Sequence, residues 1–385
     1  MSTRYWRKKA ILAKIETVYA TDPTPTGAAN AILMRDVEFT PFEAEYVERD
    51  IAREFLGHQD QIVATVRAKL TYKVEMAGSG TAGVAPPWGP LVRACALAEY
   101  ILAAAHAGTA QAGGASTITL AAAASATNDA YRGMRIRTTG GTGTGQARVI
   151  STYVGATKVA TVSEAWITPP DITTTYSIDA QVAYLPVSSS MESVTKYFNM
   201  DGKRHLMLGA RGTMGVSLMP RALPMFVFEF DGLFVAPTDT ALPTQTLTAW
   251  QTPKPVTNTN TTAFTLHGLA AKMYSLELNL ANQKVYRNLP GVEDVQLTDR
   301  APAGSVTIED PTLAEKNYFT IASASTLGAL SVLHGTAAGN QVHVHAPAVQ
   351  LTQPKFENKD SVIALAMATR LIPLLGNDEI SIQAL

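Results

Sequence analysis

A single cysteine, Cys95, stands among 385 residues, so no internal disulfide can form and nothing demands an oxidising compartment. Charge is scarce as well: Asp, Glu, Lys and Arg make up 16% of the chain, against about 25% in ordinary globular proteins. That deficit points to surface buried between subunits. Neither sign of charge is in excess, with 31 basic and 32 acidic side chains and a net charge of -1, which argues against a binder held to nucleic acid by counterion release. Long apolar runs are missing too. The most apolar stretch, Leu91 to Ala105, contains Arg93 and Glu99 and falls short of the ~20 residues that span a bilayer. The apolar run behind Arg4, Arg7, Lys8 and Lys9 stops at Lys14, too short for a signal-peptide core. We read the first as a buried helix entered through Pro86, Pro87 and Pro90, and the second as a mature cytoplasmic N-terminus, with no membrane anchor.

Catalytic patterns are equally absent. Gly140, Gly141, Gly143 and Gly145 precede Gln146, where a phosphate loop needs Lys and then Ser or Thr. Ser79 lies between Gly78 and Gly80, but Ala77 and Thr81 occupy the outer glycine places of a nucleophile elbow. His343 and His345 share one strand face behind His334 without a nearby Cys or acidic pair, which reads as a polar strand face rather than a metal centre. No catalytic, cofactor-binding or metal-ligating residue is assigned, no cofactor is expected, and the chain is not read as an enzyme.

What the sequence does contain is alternation. From Val66 to Met76, apolar Val66, Ala68, Leu70, Tyr72, Val74 and Met76 interleave with Arg67, Lys69, Thr71, Lys73 and Glu75, the pattern of a strand with one face on a core. Val194 to Leu208 is broken by Asp201-Gly202, the dipeptide of a tight hairpin turn. Further strands are predicted at 213–218, 225–230, 270–280, 305–309, 341–344 and 361–371. Between Ala105 and Val182 the chain becomes rich in Thr, Ala and Gly, with short strands predicted at 116–120, 134–138, 147–152, 158–162 and 174–178. Residues 243–262 carry Thr, Pro and Asn with little apolar period, which is linker chemistry. The expected organisation is mainly β: a discontinuous first lobe (1–104 and 183–250), an inserted small all-β domain (105–182), a linker (251–262) and a second lobe (263–385).

The two lobes read in the same order. Val37, Phe39, Arg49, Asp50, Ile51, Arg67, Ala68, Val74 and Glu75 lead into the Leu91 segment and the Asp201-Gly202 turn; Leu276, Leu278, Arg287, Asn288, Leu289, Arg300, Ala301, Ile308 and Glu309 lead into a helical-looking Leu313 to Ile321 and a Gly339-Asn340 turn. Either the unit is duplicated in tandem, or two β regions share a common pattern.

Several segments, taken in order, resemble the tail tube (major tail) proteins of long-tailed, siphophage-like bacteriophages. They are Arg7 to Glu16 with Asp22-Pro23-Thr24-Pro25, Glu75 to Thr81, Pro87 to Leu91, Leu208 to Gly212, Phe228 to Leu233 and Gly376 to Glu379. The resemblance covers the body on both sides of the insert and skips the insert itself. It implies β-sandwich or half-barrel lobes packed by a helix, and a structural virion protein of a non-contractile tail. Its subunits would form stacked rings around a lumen that conducts the viral genome, assembled in the host bacterial cytoplasm beside other tail proteins. If the lobes are duplicated, three chains complete a ring with pseudo-sixfold symmetry; otherwise six do. Viral DNA would pass without tight binding. The competing reading is a carbohydrate-binding or adhesive β surface protein displaying Tyr131, Tyr153, Trp166 and Tyr176.

One segment stands out as a candidate assembly arm. Between Asp36 and Asp60 lie Asp36, Glu38, Glu43, Glu45, Glu48, Asp50, Glu54 and Asp60 against Arg49 and Arg53, interleaved with Phe39, Phe42, Tyr46 and Phe55. Acidic yet aromatic, it buries too little alone to offset its own ordering and is expected to order against a neighbouring subunit, the alternative being an ordinary excursion over the subunit's own surface. Phe39, Phe42, Glu45, Tyr46, Glu48, Asp50 and Phe55 are assigned to that contact, with Arg4, Arg7, Lys8 and Lys9 of another copy as the basic counterpart.

Overall fold

In the computed structural model, which describes residues 3–385, β-structure dominates: twenty-six strands against two short helices among the described residues. The first half opens with β1 (Lys9–Ile15), β2 (Ala31–Ile32), β3 (Arg35–Glu48) and β4 (Gln61–Glu75). The alternating segment lies in β4, with Ala68, Leu70, Tyr72 and Val74 buried.

The expected helix at 91–105 is a correction. Helix α1 runs only over Gly89–Arg93, and β5 (Leu97–Leu102) follows. Ala96 takes a left-handed backbone, φ 62°, which ends the helical path. The rest of the Ala-Leu stretch pairs antiparallel with β13 (Gln181–Pro186), from Leu97 opposite Pro186 to Leu102 opposite Gln181. Tyr184 Oη donates to Glu99 at 2.7 Å. Tertiary pairing has overridden a helix-favouring composition.

Between β5 and β13 a separate seven-stranded sheet comprises β6 (His106–Thr109), β7 (Ala112–Gly114), β8 (Thr117–Thr119), β9 (Arg135–Gly140), β10 (Ala147–Val154), β11 (Val159–Val162) and β12 (Thr175–Ile178). Of these, β6 and β7 were not anticipated. Tyr131, Tyr153, Trp166 and Tyr176 are buried in its core, which extends onto Ala183 and Leu185 of β13. These rings fill an interior and form no display surface.

The first half closes with β14 (Val194–Met200), β15 (Lys203–Leu218) and β16 (Met225–Asp239). Asp201 and Gly202 carry φ of 33° and 90° in the β14–β15 turn, as that dipeptide permits. Residues 240–260 contain no strand or helix, yet they are held: Trp250 Nε1 donates to the Ala31 carbonyl at 3.0 Å and Val256 is buried. The second half contains β17 (Thr261–Leu266), β18 (Leu269–Ala270), β19 (Met273–Asn279), β20 (Asn282–Leu289), β21 (Val292–Arg300), β22 (Ala303–Glu309), α2 (Tyr318–Ser323), β23 (Leu327–His334), β24 (Val342–Lys359), β25 (Val362–Leu371) and β26 (Ser381–Ala384). Helix α2 starts later than the expected 313–321 segment, where Asn317 accepts from Thr320 N as its cap.

Strand pairing repeats between the halves. The first ladder runs β2-β1-β14-β15-β16-β4-β3. The second runs β18-β17-β23-β24-β25-β22-β19 in the same antiparallel sense. Each ladder has its helix at the same place in chain order, after β4 and after β22. The ladders are tied by β15 against β19 and by β26, which pairs with both β13 and β24. One continuous hydrophobic core serves both halves.

Candidate self-assembly surfaces

Each half extends a long hairpin beyond its ladder. In the first, β3 and β4 stay paired out to Glu48 opposite Gln61. The segment expected to order only against a neighbour therefore orders against its own chain, because β4 reaches far past the core and offers it a partner strand. Its surface remains bare: Phe42, Tyr46, Val47, Phe55, Ile62 and Val63 are exposed. Of its carboxylates, Glu43 is bonded to Arg67 and Lys69 at 2.8 and 2.7 Å, which holds its carboxyl below the usual range. Asp60 pairs with Arg49. Glu45 makes no ion pair or hydrogen bond among the described residues. Phe39, nearer the body, turns inward and packs on Phe198 at 4.5 Å between ring centroids. Glu48 accepts from Gln61, and Asp50 lies at the exposed tip.

The basic residues proposed as counterpart are partly engaged at home. Arg4 pairs with Asp239 at 3.2 Å, Lys8 with Asp201 at 3.7 Å, and Lys9 sits over the Trp6 ring; Arg7 is exposed. Arg7 and Lys9 line a pocket beside Arg35, Asp36 and Val37 at the start of β3, but among the described residues none of the four makes an ion pair with the β3–β4 hairpin.

The second hairpin, β20–β21, lies against the first half of its own chain. Lys284 Nζ donates to Glu229 and Asp231 at 2.6 and 3.1 Å, with the Lys284 and Asp231 side chains 10% and 7% exposed. Asn282 Nδ2 donates to the carbonyls of Cys95 and Gly212, both at 2.9 Å. Arg211 Nη1 reaches the Val295 carbonyl at 2.9 Å, and Val295 N donates to Tyr19 Oη at 2.7 Å. At the hairpin base, β19 adds to the free side of β15, with Gly215 opposite Asn279 and Leu218 opposite Leu276.

On the second half, the corresponding place is open. A cleft of about 940 Å³ lies there, lined by Arg300, Ala303, Arg370, Leu371, Asn377 and Glu379 and bounded on its other side by Ala96, Ser188 and Met191 of the first half. Arg300 is bonded there to Glu379 Oε1, while Glu379 Oε2 is buried without a hydrogen-bond partner among the described residues. Arg370 is exposed and makes no ion pair among the described residues. Along β24, Lys355 to Asn358 pair, among the described residues, only with β25, which leaves their other edge free of them, and Phe356 is 58% exposed.

Buried Lys196 and the buried pair His343 and His345 lie outside these surfaces. Lys196 Nζ donates to Tyr72 Oη at 2.7 Å over the Phe230 ring, and burial pushes its ammonium well below the ordinary lysine value. His343 and His345 share one face as the alternation requires, but that face is covered. His343 bonds Ser331 and Gln383, and His345 bonds Ser163 of the inserted sheet at 3.0 Å. Burial lowers both rings, His345 to about 4.

A search of curated proteins finds no match. The family model described as phage tail tube protein matches residues 6–369, spanning both ladders and the insert. A chain almost wholly covered by that match, mainly β, with paired ladders and bare strand edges, belongs to the phage tail tube protein family.

Proposed function

We propose that three copies of this chain close into a ring of six similar halves, and that stacked rings form the wall of a non-contractile tail tube through which the viral genome passes. The repeated pairing order of the two ladders carries this reading: a chain holding two copies of one unit needs half as many subunits to surround the same lumen. A heterologous contact that repeats by rotation generates a closed ring. The near-balanced charge supports passage of DNA without grip, since acidic side chains match the basic ones in number and leave no net positive charge to hold phosphate. The inserted sheet, too bulky for a lumen or for the space between stacked rings, would project outward, where it would obstruct a contractile sheath. Electron microscopy of assembled tubes tests the reading: threefold averages with six near-equivalent lobes are expected. Six whole chains per ring, or an insert inside the lumen, would overturn it.

A further inference from the structure

The junction between the two halves of one chain can be compared, strand by strand, with the edges that the chain leaves open. In the first half, Met225 of β16 stands opposite Glu75 of β4 and, on its other side, Ser217 of β15. In the second, Ala364 of β25 stands opposite Glu309 of β22 and Glu357 of β24. These pairings equate Gly215–Leu218 with Lys355–Asn358, the free edge of β24. Phe39 stands opposite Leu70 and Leu278 opposite Gly304, which equates Val37–Thr40 with Leu276–Asn279, the segment of β19 that fills the edge of β15. The same counting equates Asp231 with Arg370, opposite Lys69 and Ala303. It equates Lys284 with Glu45, each two residues beyond a residue paired to an arginine, Asn282 to Arg300 and Glu43 to Arg67.

Resting on the ring reading above, we propose that the β3–β4 hairpin of one copy docks on the second half of the next copy, as β20–β21 docks on the first half within a chain. Val37–Thr40 add to β24 antiparallel, Val37 opposite Asn358 and Thr40 opposite Lys355, and the distal hairpin fills the cleft beside Arg370. Strand addition satisfies the free edge. Phe39 is placed opposite Phe356, whose counterpart Val216 is buried by Leu278. Asp36 and Glu38 line up with Lys359 and Glu357, the latter already bonded to Lys359 at 3.0 Å, so Lys355 and Lys359 flank the acidic row. In the cleft, Glu45 meets Arg370.

The charge of that last contact is inverted relative to its template: arm cation on body anion within the chain, arm anion on body cation between chains. Glu45 on Asp231, or Lys284 on Arg370, would set like charges together. The inversion therefore forbids first-half arms from docking on first halves and enforces alternation of the halves around the ring.

The test uses the full-length protein under conditions where the wild type assembles. Glu45→Arg and Arg370→Glu change exposed side chains, so each variant is expected to remain folded, with thermal unfolding as the check. Each alone should cut the assembled fraction in sedimentation by about tenfold or more, through like-charge repulsion, and the pair combined should recover it. Separately, Thr40→Cys with Lys355→Cys should give a disulfide-linked ladder ending at three chains, while either cysteine alone should not. Normal tubes from the single charge variants together with no crosslink would overturn this junction while leaving the ring reading intact. A wild type that forms no rings at all would overturn both.

Discussion

The two hairpins share a position in the repeated ladder but differ in what surrounds them. On β20–β21, Val295 is fully buried and Leu297 is 8% exposed, because the first half of the chain lies beneath them. On β3–β4, Ile62 and Val63 project to solvent at 55% and 44%. One arm contributes to the stability of its own chain; the other has its apolar face and its Glu45 carboxylate free. The difference teaches that burial within a protein whose strand-pairing order repeats can report on a contact absent from the isolated chain.

Shortening each arm gives the largest contrast. Replacing residues 44–65 by a two-residue turn should leave a soluble, cooperatively folded monomer that forms no tubes by negative-stain microscopy. The equivalent excision of 283–299 should abolish cooperative unfolding in urea. Normal tubes from the first variant would remove the assembly role of the β3–β4 arm.

Single charges sharpen the comparison. Lys284→Met strands the Asp231 carboxylate in a largely buried place and should cost about 3 to 5 kcal/mol in urea unfolding, whereas Glu45→Ala should change monomer stability by less than about 0.5 kcal/mol. Equal losses would show that both arms are docked in the monomer.

Acid provides the next contrast. His345 is held at about 4 by burial and the nearby Arg148 charge, against an ordinary 6.5, with the Glu164 carboxylate 3.7 Å from its Nδ1. The unfolded chain binds this proton first, so the stability it confers is full above pH 6.5 and is lost as pH falls toward about 4, amounting to about 3 kcal/mol. His345→Gln should make that part of the pH profile of the melting temperature shallower, with the share due to buried His343 remaining. An unchanged slope in the His345 variant would refute the assignment.

The smallest effect is in packing. Leu297→Ala should cost about 2 kcal/mol as a buried apolar side chain is lost, while Ile62→Ala should be nearly neutral in the monomer and weaken assembly instead. A matching loss at Ile62 in the monomer would mean that its face is already covered.

Much of the fold was legible because local chemistry and tertiary contacts agreed. The β4 alternation, the Asp201-Gly202 turn and five strands of the inserted sheet each stand where period and turn residues put them. The 91–105 segment failed for the opposite reason. Ala and Leu favour helix, but burial beside β13 and the left-handed Ala96 turned it into a strand. The acidic-aromatic arm was recognisable by composition, yet its partner strand within the chain was not, since β4 continues past its alternating stretch through Gln61 to Thr65 with no such pattern. Arg370 and the free edge of β24 carried no sequence signal, being ordinary residues of a strand.

By itself, the sequence determined the mainly β class and the turns, because side-chain period and backbone freedom are local properties, and it left the relation of the two halves open. Only the tertiary structure decided which hairpin is docked and which is bare. That depends on which strand edges the rest of the chain has already filled, a property of the assembled ladders that no single segment contains.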